Sequence, residues 1–192
     1  MKLEIDGREV VKLWSEEEIK EKVAEIAQKI YTSYKEEVGI KGEDLVMVVI
    51  LHGAMFFATD LYQKLEDIES EPSFLGKLTL DTLVVSTYEN TTEPEQVKIL
   101  KDLTKSPKGK HILVVEDIVD TGETLYSILK HLKAKGPKSI KVAVLIDKKP
   151  RRRKRVKVDF VGFELEKPLW LIGYGLDSKG MGRGLRFIGY LK

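Results

Sequence analysis

Three short runs restrict the fold of this chain more than any other feature. "LVMVVIL" (Leu45–Leu51), "HILVV" (His111–Val115) and "SIKVAVLID" (Ser139–Asp147) are brief and rich in β-branched residues. The first has no polar residue, so it lacks the in–out alternation of a strand with one wet face. Such a strand is covered on both faces, as in a parallel sheet with helices on either side. Helix-like stretches lie between the runs. "HGAMFFATDLYQKL" is helical in pattern after its glycine, and "GETLYSILKHLKAKG" reads as a helix ending near Gly136. Upstream, "SEEE" (Ser15–Glu18) fits a capping box, and Ile19, Val23, Ile26 and Ile30 recur at helical spacing, which predicts a helix to about Val38. "KLTLDTLVVSTY" (Lys77–Tyr88) predicts a longer strand, and "VDFVGFE" and "LWLIGY" predict further ones. Strands alternating with helices define an α/β fold with a mainly parallel central sheet flanked by helices. The last strands have no helix between them, so the C-terminal part departs from simple alternation.

The 192 residues suffice for one domain with a sizeable core, at 42% hydrophobic and 33% charged. A net charge of +2 gives no general affinity for nucleic acid or membrane. There is no cysteine, which excludes disulfides, thiolate metal sites and a cysteine nucleophile. The opening residues lack the apolar core of a signal peptide and no apolar run is long enough to span a bilayer, so a cytoplasmic location is expected. The three histidines, His52, His111 and His131, are too scattered for a zinc site, and no G-x-S-x-G elbow is present.

"VVEDIVDTGET" (Val114–Thr124) carries the chemistry. An apolar strand runs into Glu116 and Asp117, and Asp120, Thr121 and Gly122 follow before a helix. Ligands of open α/β sheets bind beyond the carboxyl ends of the strands. Gly122 lets the backbone approach a ligand, and the free amides of the helix start, with the hydroxyls of Thr121 and Thr124, can cradle a phosphate. Two carboxylates beside that cradle call for sugar hydroxyls and Mg²⁺.

The stretch resembles the phosphoribosyl pyrophosphate (PRPP) motif of the type I phosphoribosyltransferases, unbroken from Val114 to Thr124. "LHGAMFFATDL", "STYENTTEPEQVKILKDL", "VLIDKK" and "DFVGFELEKPLWLIGYGLD" resemble the hypoxanthine-guanine branch, and Arg183 falls six residues after Asp177, where that branch has an arginine. The resemblance implies a single domain, with a core over about residues 15–150 and a small hood from about 151–192 and the N-terminal residues. It also implies transfer of 5-phosphoribosyl from PRPP to N9 of hypoxanthine or guanine, with Mg²⁺ as cofactor and assembly as a homodimer or homotetramer.

On that resemblance each candidate residue has a role. Asp120 is the general base for the proton that leaves the purine, and Asp120, Thr121, Gly122, Glu123 and Thr124 hold the 5′-phosphate. Glu116 and Asp117 hold the ribose hydroxyls and one metal, and Asp177 is the candidate for a second. His52, Gly53 and Arg183 face the pyrophosphate. Lys148 donates to the purine O6, Trp170 stacks on the base, and Asp177 and backbone groups near Leu171 lie at the purine edge. Ser86, Thr87 and Tyr88 open a mobile loop. Three departures stand out, one of them an extra residue between Phe163 and Trp170. His52 replaces a lysine common in the branch, next to an implied cis peptide between Leu51 and His52. "KKPRRRKR" (Lys148–Arg155) is more basic than the branch requires, and is expected to be a solvated loop. That run also sustains one alternative, an RNA-binding regulator of nucleotide operons on the same fold. Another is an enzyme for xanthine or a different base.

Overall fold

In the computed structural model, residues 2–68, 72–88 and 96–192 are described. The chain forms β1 (Glu4–Ile5), β2 (Arg8–Trp14), α1 (Glu16–Tyr34), a π-helical extension (Lys35–Ile40), β3 (Leu45–Leu51), α2 (Met55–Glu66), β4 (Leu78–Tyr88) and β5 (Gln96–Lys101). There follow β6 (His111–Val119), α3 (Glu123–Ala134), β7 (Ser139–Lys148), β8 (Phe160–Leu165), β9 (Leu171–Ile172) and β10 (Ile188–Leu191). Six strands make the large sheet in the order β5-β4-β3-β6-β7-β8. All its pairings are parallel except β4–β5, at one edge.

The apolar runs behave as their composition requires. In β3, Leu45, Met47 and Val49 pack into one core cluster with α1 and α2, while Val48 and Ile50 pack into another with α3. In β6, Leu113 and Val115 face the first cluster and Ile112 and Val114 the second. Alternate side chains of a strand point to opposite faces, and here both faces are dry. The capping box forms: the Ser15 N–H donates to Glu18 Oε2 at 2.8 Å, and the Glu18 N–H to Ser15 Oγ at 3.2 Å. Helix α1 stops at Tyr34, short of the expected Val38. From Lys35 the backbone widens, the Lys41 N–H reaching Glu36 O at 3.0 Å, and Val38 stays buried.

One expected strand shortens in three dimensions. "LWLIGY" is a strand only at Leu171–Ile172, because Gly173, Tyr174 and Gly175 take positive φ of 97°, 47° and 101° and turn the chain back. "VDFVGFE" forms its expected strand, β8, which pairs in parallel with β7 at the edge of the large sheet. A second, antiparallel sheet, β1-β2-β10-β9, brings the two ends of the chain together. Trp14 of β2 stacks on Phe163 of β8 with centroids 4.3 Å apart, tying the small sheet to the large one.

Candidate active site

Strand β6 sits in the middle of the large sheet, and its carboxyl end opens into the site. It continues to Val119, so Glu116 and Asp117 lie within the strand, and both are buried. Burial pushes the Glu116 carboxyl well above its usual value, and the neighbouring Asp117 carboxylate adds to the rise. Burial also raises Asp117, against the opposing pull of its hydrogen bond with Glu116, the Ile118 N–H (2.9 Å to Oδ1) and the Arg183 guanidinium. Two carboxyls this close titrate as a unit and cannot both ionise at low cost. Glu116 Oε2 is buried with no hydrogen-bond partner, an acceptor left open to a ligand.

The loop after β6 turns through Gly122, at φ 83°, into α3. The first intrahelical bond runs from the Tyr126 N–H to Gly122 O at 2.9 Å, leaving the earlier amides of the turn ahead of the helix ladder. Glu116, Asp117, Asp120, Thr121, Gly122 and Thr124 line a cavity of about 180 Å³ at this point, and Glu123 begins the helix behind it.

A second cavity of about 240 Å³ shares Asp117, Ile118 and Asp120 with the first. Its other walls include Lys148, Trp170, Leu171 and Asp177, four candidates from distant parts of the sequence. The Lys148 ammonium, on a buried residue at the end of β7, donates to Asp120 Oδ2 at 3.0 Å. Asp120 Oδ1 is buried and has no hydrogen-bond partner. Trp170 is 54% exposed, so its ring is a cavity wall rather than core packing. The backbone carbonyl at Trp170 is taken by the Leu191 N–H at 3.0 Å.

The turn after β3 closes a third side. The Leu51–His52 peptide is cis. A Cβ on Gly53 would lie 1.9 Å from Asp117 Oδ2, and one on Gly175 would lie 2.0 Å from Gly53 O. Three segments therefore meet at a point where only hydrogens fit. His52 is exposed. Arg183 donates to Gly175 O at 2.5 Å and pairs with Asp177 at 2.7 Å, while Asp177 Oδ2 accepts the Gly180 N–H at 2.6 Å. Both Asp177 oxygens are thus engaged. Among the described residues no three acidic or imidazole side chains converge as a metal site. Glu116 and Asp117, with an open buried oxygen, fit a Mg²⁺ ion whose remaining ligands come from substrate, the usual arrangement for that ion.

Ser86 Oγ, near the end of β4, is buried with no partner. The backbone of Thr87 and Tyr88 completes β4, and the expected mobile loop beyond, 89–95, lies outside the described residues. Sequence reasoning missed Gly175, and within the basic run it missed Arg151 and Arg152. Arg151 lines the base-side cavity and lies 3.7 Å from Asp120, and Arg152 grips the β6 loop from behind. The signal was present in the run's position directly after Lys148, but charge alone does not say which arginine turns inward.

A mainly parallel α/β sheet whose strand β6 delivers an acidic pair and a glycine turn beside a cavity suits the binding of a phosphorylated ligand. Residues 14–179 match the phosphoribosyl transferase domain, and the chain belongs to that family. Within it the chain falls in the hypoxanthine-guanine branch. It is 38% identical to the hypoxanthine-guanine phosphoribosyltransferase of Aquifex aeolicus, over 95% of this chain and 94% of that protein. It is 36% identical to the hypoxanthine-guanine-xanthine phosphoribosyltransferase of Tritrichomonas foetus, over 94% and 90%. The solved structure of a Trypanosoma cruzi hypoxanthine phosphoribosyl transferase superposes with a TM-score of 0.85 at 34% identity, covering 99% of this chain and 94% of that one. No helix among the described residues is long and apolar enough to cross a membrane.

Proposed function

We propose that this protein transfers the 5-phosphoribosyl group of PRPP to N9 of hypoxanthine or guanine, giving the nucleoside monophosphate and pyrophosphate. The C1–oxygen bond to pyrophosphate breaks, the C1–N9 bond forms, and the base gives up one proton. One observation carries the reading: the cavity at the turn from β6 into α3 and the Trp170-walled cavity meet at Asp117, Ile118 and Asp120. A ribose spanning the two would place its 5′-phosphate on the Asp120–Thr124 turn and its base against Trp170.

Asp120 then faces the base with an open oxygen and accepts the N7 proton as N9 attacks. Lys148 is already hydrogen-bonded to Asp120 and turns to the purine O6 when the base enters. Glu116 and Asp117 accept hydrogen bonds from the ribose hydroxyls. Arg183, with the His52 and Gly53 amides, lies on the pyrophosphate side, where a guanidinium forks onto phosphate oxygens. Magnesium, when bound, offsets the charge of the leaving pyrophosphate. The same reading assigns the small sheet as a hood over the base, and assembly as a homodimer or homotetramer.

Incubation of labelled hypoxanthine with PRPP and Mg²⁺ tests this. One labelled monophosphate should appear for each pyrophosphate released; pyrophosphate release without base incorporation would contradict it. The RNA-regulator alternative draws on the basic run, yet the run's most enclosed arginine is committed to backbone carbonyls and Asp147.

A further inference from the structure

Beyond the buried Lys148, the basic run "KKPRRRKR" is exposed, as a solvated loop would be, except at Arg152, which is half-buried. Three consecutive carbonyls at the mouth of β6 are each held by this segment. Arg152 donates through Nη2 to Val119 O at 3.0 Å and through Nε to Asp120 O at 2.9 Å. The N–H groups of Arg153 and Lys154 both donate to Thr121 O, at 2.8 and 3.0 Å. Arg152 also pairs with Asp147, a buried acid near the end of β7. A Cβ on Gly122 would lie 2.6 Å from Lys154 O and 3.1 Å from Arg152 Cδ, so strap and loop are in direct contact.

These bonds have a directional consequence. In a planar trans peptide the C=O and the following N–H point opposite ways. The carbonyls of Val119, Asp120 and Thr121 share their peptides with the N–H groups of Asp120, Thr121 and Gly122. Fixing the carbonyls toward the strap turns those N–H groups away from it, and the cavity lined by residues 116–122, Thr124 and Leu125 is where an anion would meet them. The neighbouring cations do not do this: Lys149 pairs with Glu164 at 2.7 Å, and Arg155 is exposed.

We propose that Arg152, anchored by Asp147, is a positioning residue that pre-orients the 5′-phosphate loop from its outer side. The proposal rests on reading that loop as the phosphate site of phosphoribosyl transfer. A guanidinium reaches two carbonyls and a carboxylate at once because its donors form a rigid fork; an amide or an ammonium cannot.

Arg152→Gln and Arg152→Lys should each raise the KM for PRPP and the Kd for the nucleoside 5′-monophosphate about tenfold or more. The Kd for pyrophosphate should stay within about twofold, and kcat at saturating PRPP within about threefold. A purely structural role would lower the active fraction, moving kcat and leaving KM unchanged. Asp147→Asn should act in the same direction more weakly, and serves if the Arg152 variants fold poorly. Arg155→Gln should change nothing. Hydrogen exchange of ligand-free protein should show faster exchange across 116–125 in Arg152→Gln than in the native chain. Equal losses in Arg152→Gln and Arg155→Gln would mean net charge alone, and would overturn the proposal. So would unchanged PRPP KM and unchanged exchange in Arg152→Gln. A native protein that binds no monophosphate, while its loop still loosens in the variant, would instead refute the phosphoribosyl reading and leave the bracing intact.

Discussion

Asp120→Asn separates catalysis from binding at the junction of the two cavities. The native carboxylate has one oxygen 3.0 Å from the Lys148 ammonium and the other buried without a partner. Asparagine keeps the size and can still accept from Lys148, but it cannot take up a proton as the base attacks. Loss of a positioned general base costs about 10²–10⁴ in rate; at 1.36 kcal/mol per tenfold this is roughly 2.7–5.4 kcal/mol of barrier. The substitution also leaves the Lys148 charge with a neutral partner. Stranding one member of a fully buried pair costs about 3–5 kcal/mol. The Asp120 side chain is 26% exposed, so solvent screens part of that, and about 1–2 kcal/mol is the expected loss. For a chain of this size that lowers Tm by roughly 2–8 °C. Single-turnover quench kinetics should isolate the chemical step, because slow product release can mask it. The expected result is a fall of about 10² or more in that step with little change in PRPP affinity. Unchanged single-turnover rate would refute the assignment of Asp120 as base, and a loss confined to PRPP affinity would reduce it to part of the phosphate loop.

The buried acidic pair makes stability depend on pH in a set direction. Glu116 keeps its proton in the fold to well above its ordinary 4.5. Below that value both states hold the proton. As pH rises the unfolded chain releases it first, so stability falls until the folded carboxyl ionises. Glu116→Gln should reduce this slope, leaving the part that the raised Asp117 carboxyl contributes, and raise the Tm of the ligand-free protein near neutral pH; melts across roughly pH 4 to 8 decide it, and a variant with the same slope as native would count against the raised Glu116 carboxyl. The same variant should weaken Mg²⁺-dependent PRPP binding, measured by titration calorimetry, since an amide ligates Mg²⁺ less well. Gly53→Ala would force its methyl to within 1.9 Å of Asp117 Oδ2, so that carboxylate must move. We expect about 1–3 kcal/mol of destabilisation and weaker PRPP binding; wild-type values in both melting and titration would show that the turn adapts freely.

The sheet was legible because its signal is local. Val48 and Val49 of β3 face opposite cores, and a strand with two dry faces must be apolar throughout. The chemical turn after β6 was legible because Gly122 and its acidic neighbours are side-chain facts, and the Ser15–Glu18 box because capping is a four-residue event. What was hidden depends on backbone meeting backbone at long range. Gly175 must be glycine because Gly53 O lies against it, 122 residues away in the chain, and neither sequence neighbourhood announces the other. Arg152 looks like Arg151 and Arg153 in the sequence. It differs only because it meets the carbonyls of Val119 and Asp120, and carbonyls carry no residue identity. The early end of β9 has the same origin: "LWLIGY" is strand-like in composition, but positive φ at Gly173–Gly175 fits the chain around Arg183 and Leu185, whose carbonyls accept the Gly175 and Tyr174 N–H groups at 2.9 and 2.8 Å.

The most direct measurement is a PRPP-dependent activity screen over hypoxanthine, guanine, xanthine, adenine and uracil, run with Mg²⁺ and again with chelator. On the proposed reading, Lys148 and Asp120, hydrogen-bonded to each other on a cavity walled by Trp170, supply a donor for a 6-oxo group and an acceptor for the N7 proton. Hypoxanthine or guanine should therefore be converted to its 5′-monophosphate, with adenine and uracil left unreacted and activity lost on chelation. Conversion of adenine or uracil alone, or tight RNA binding with no base ribosylated, would contradict that assignment.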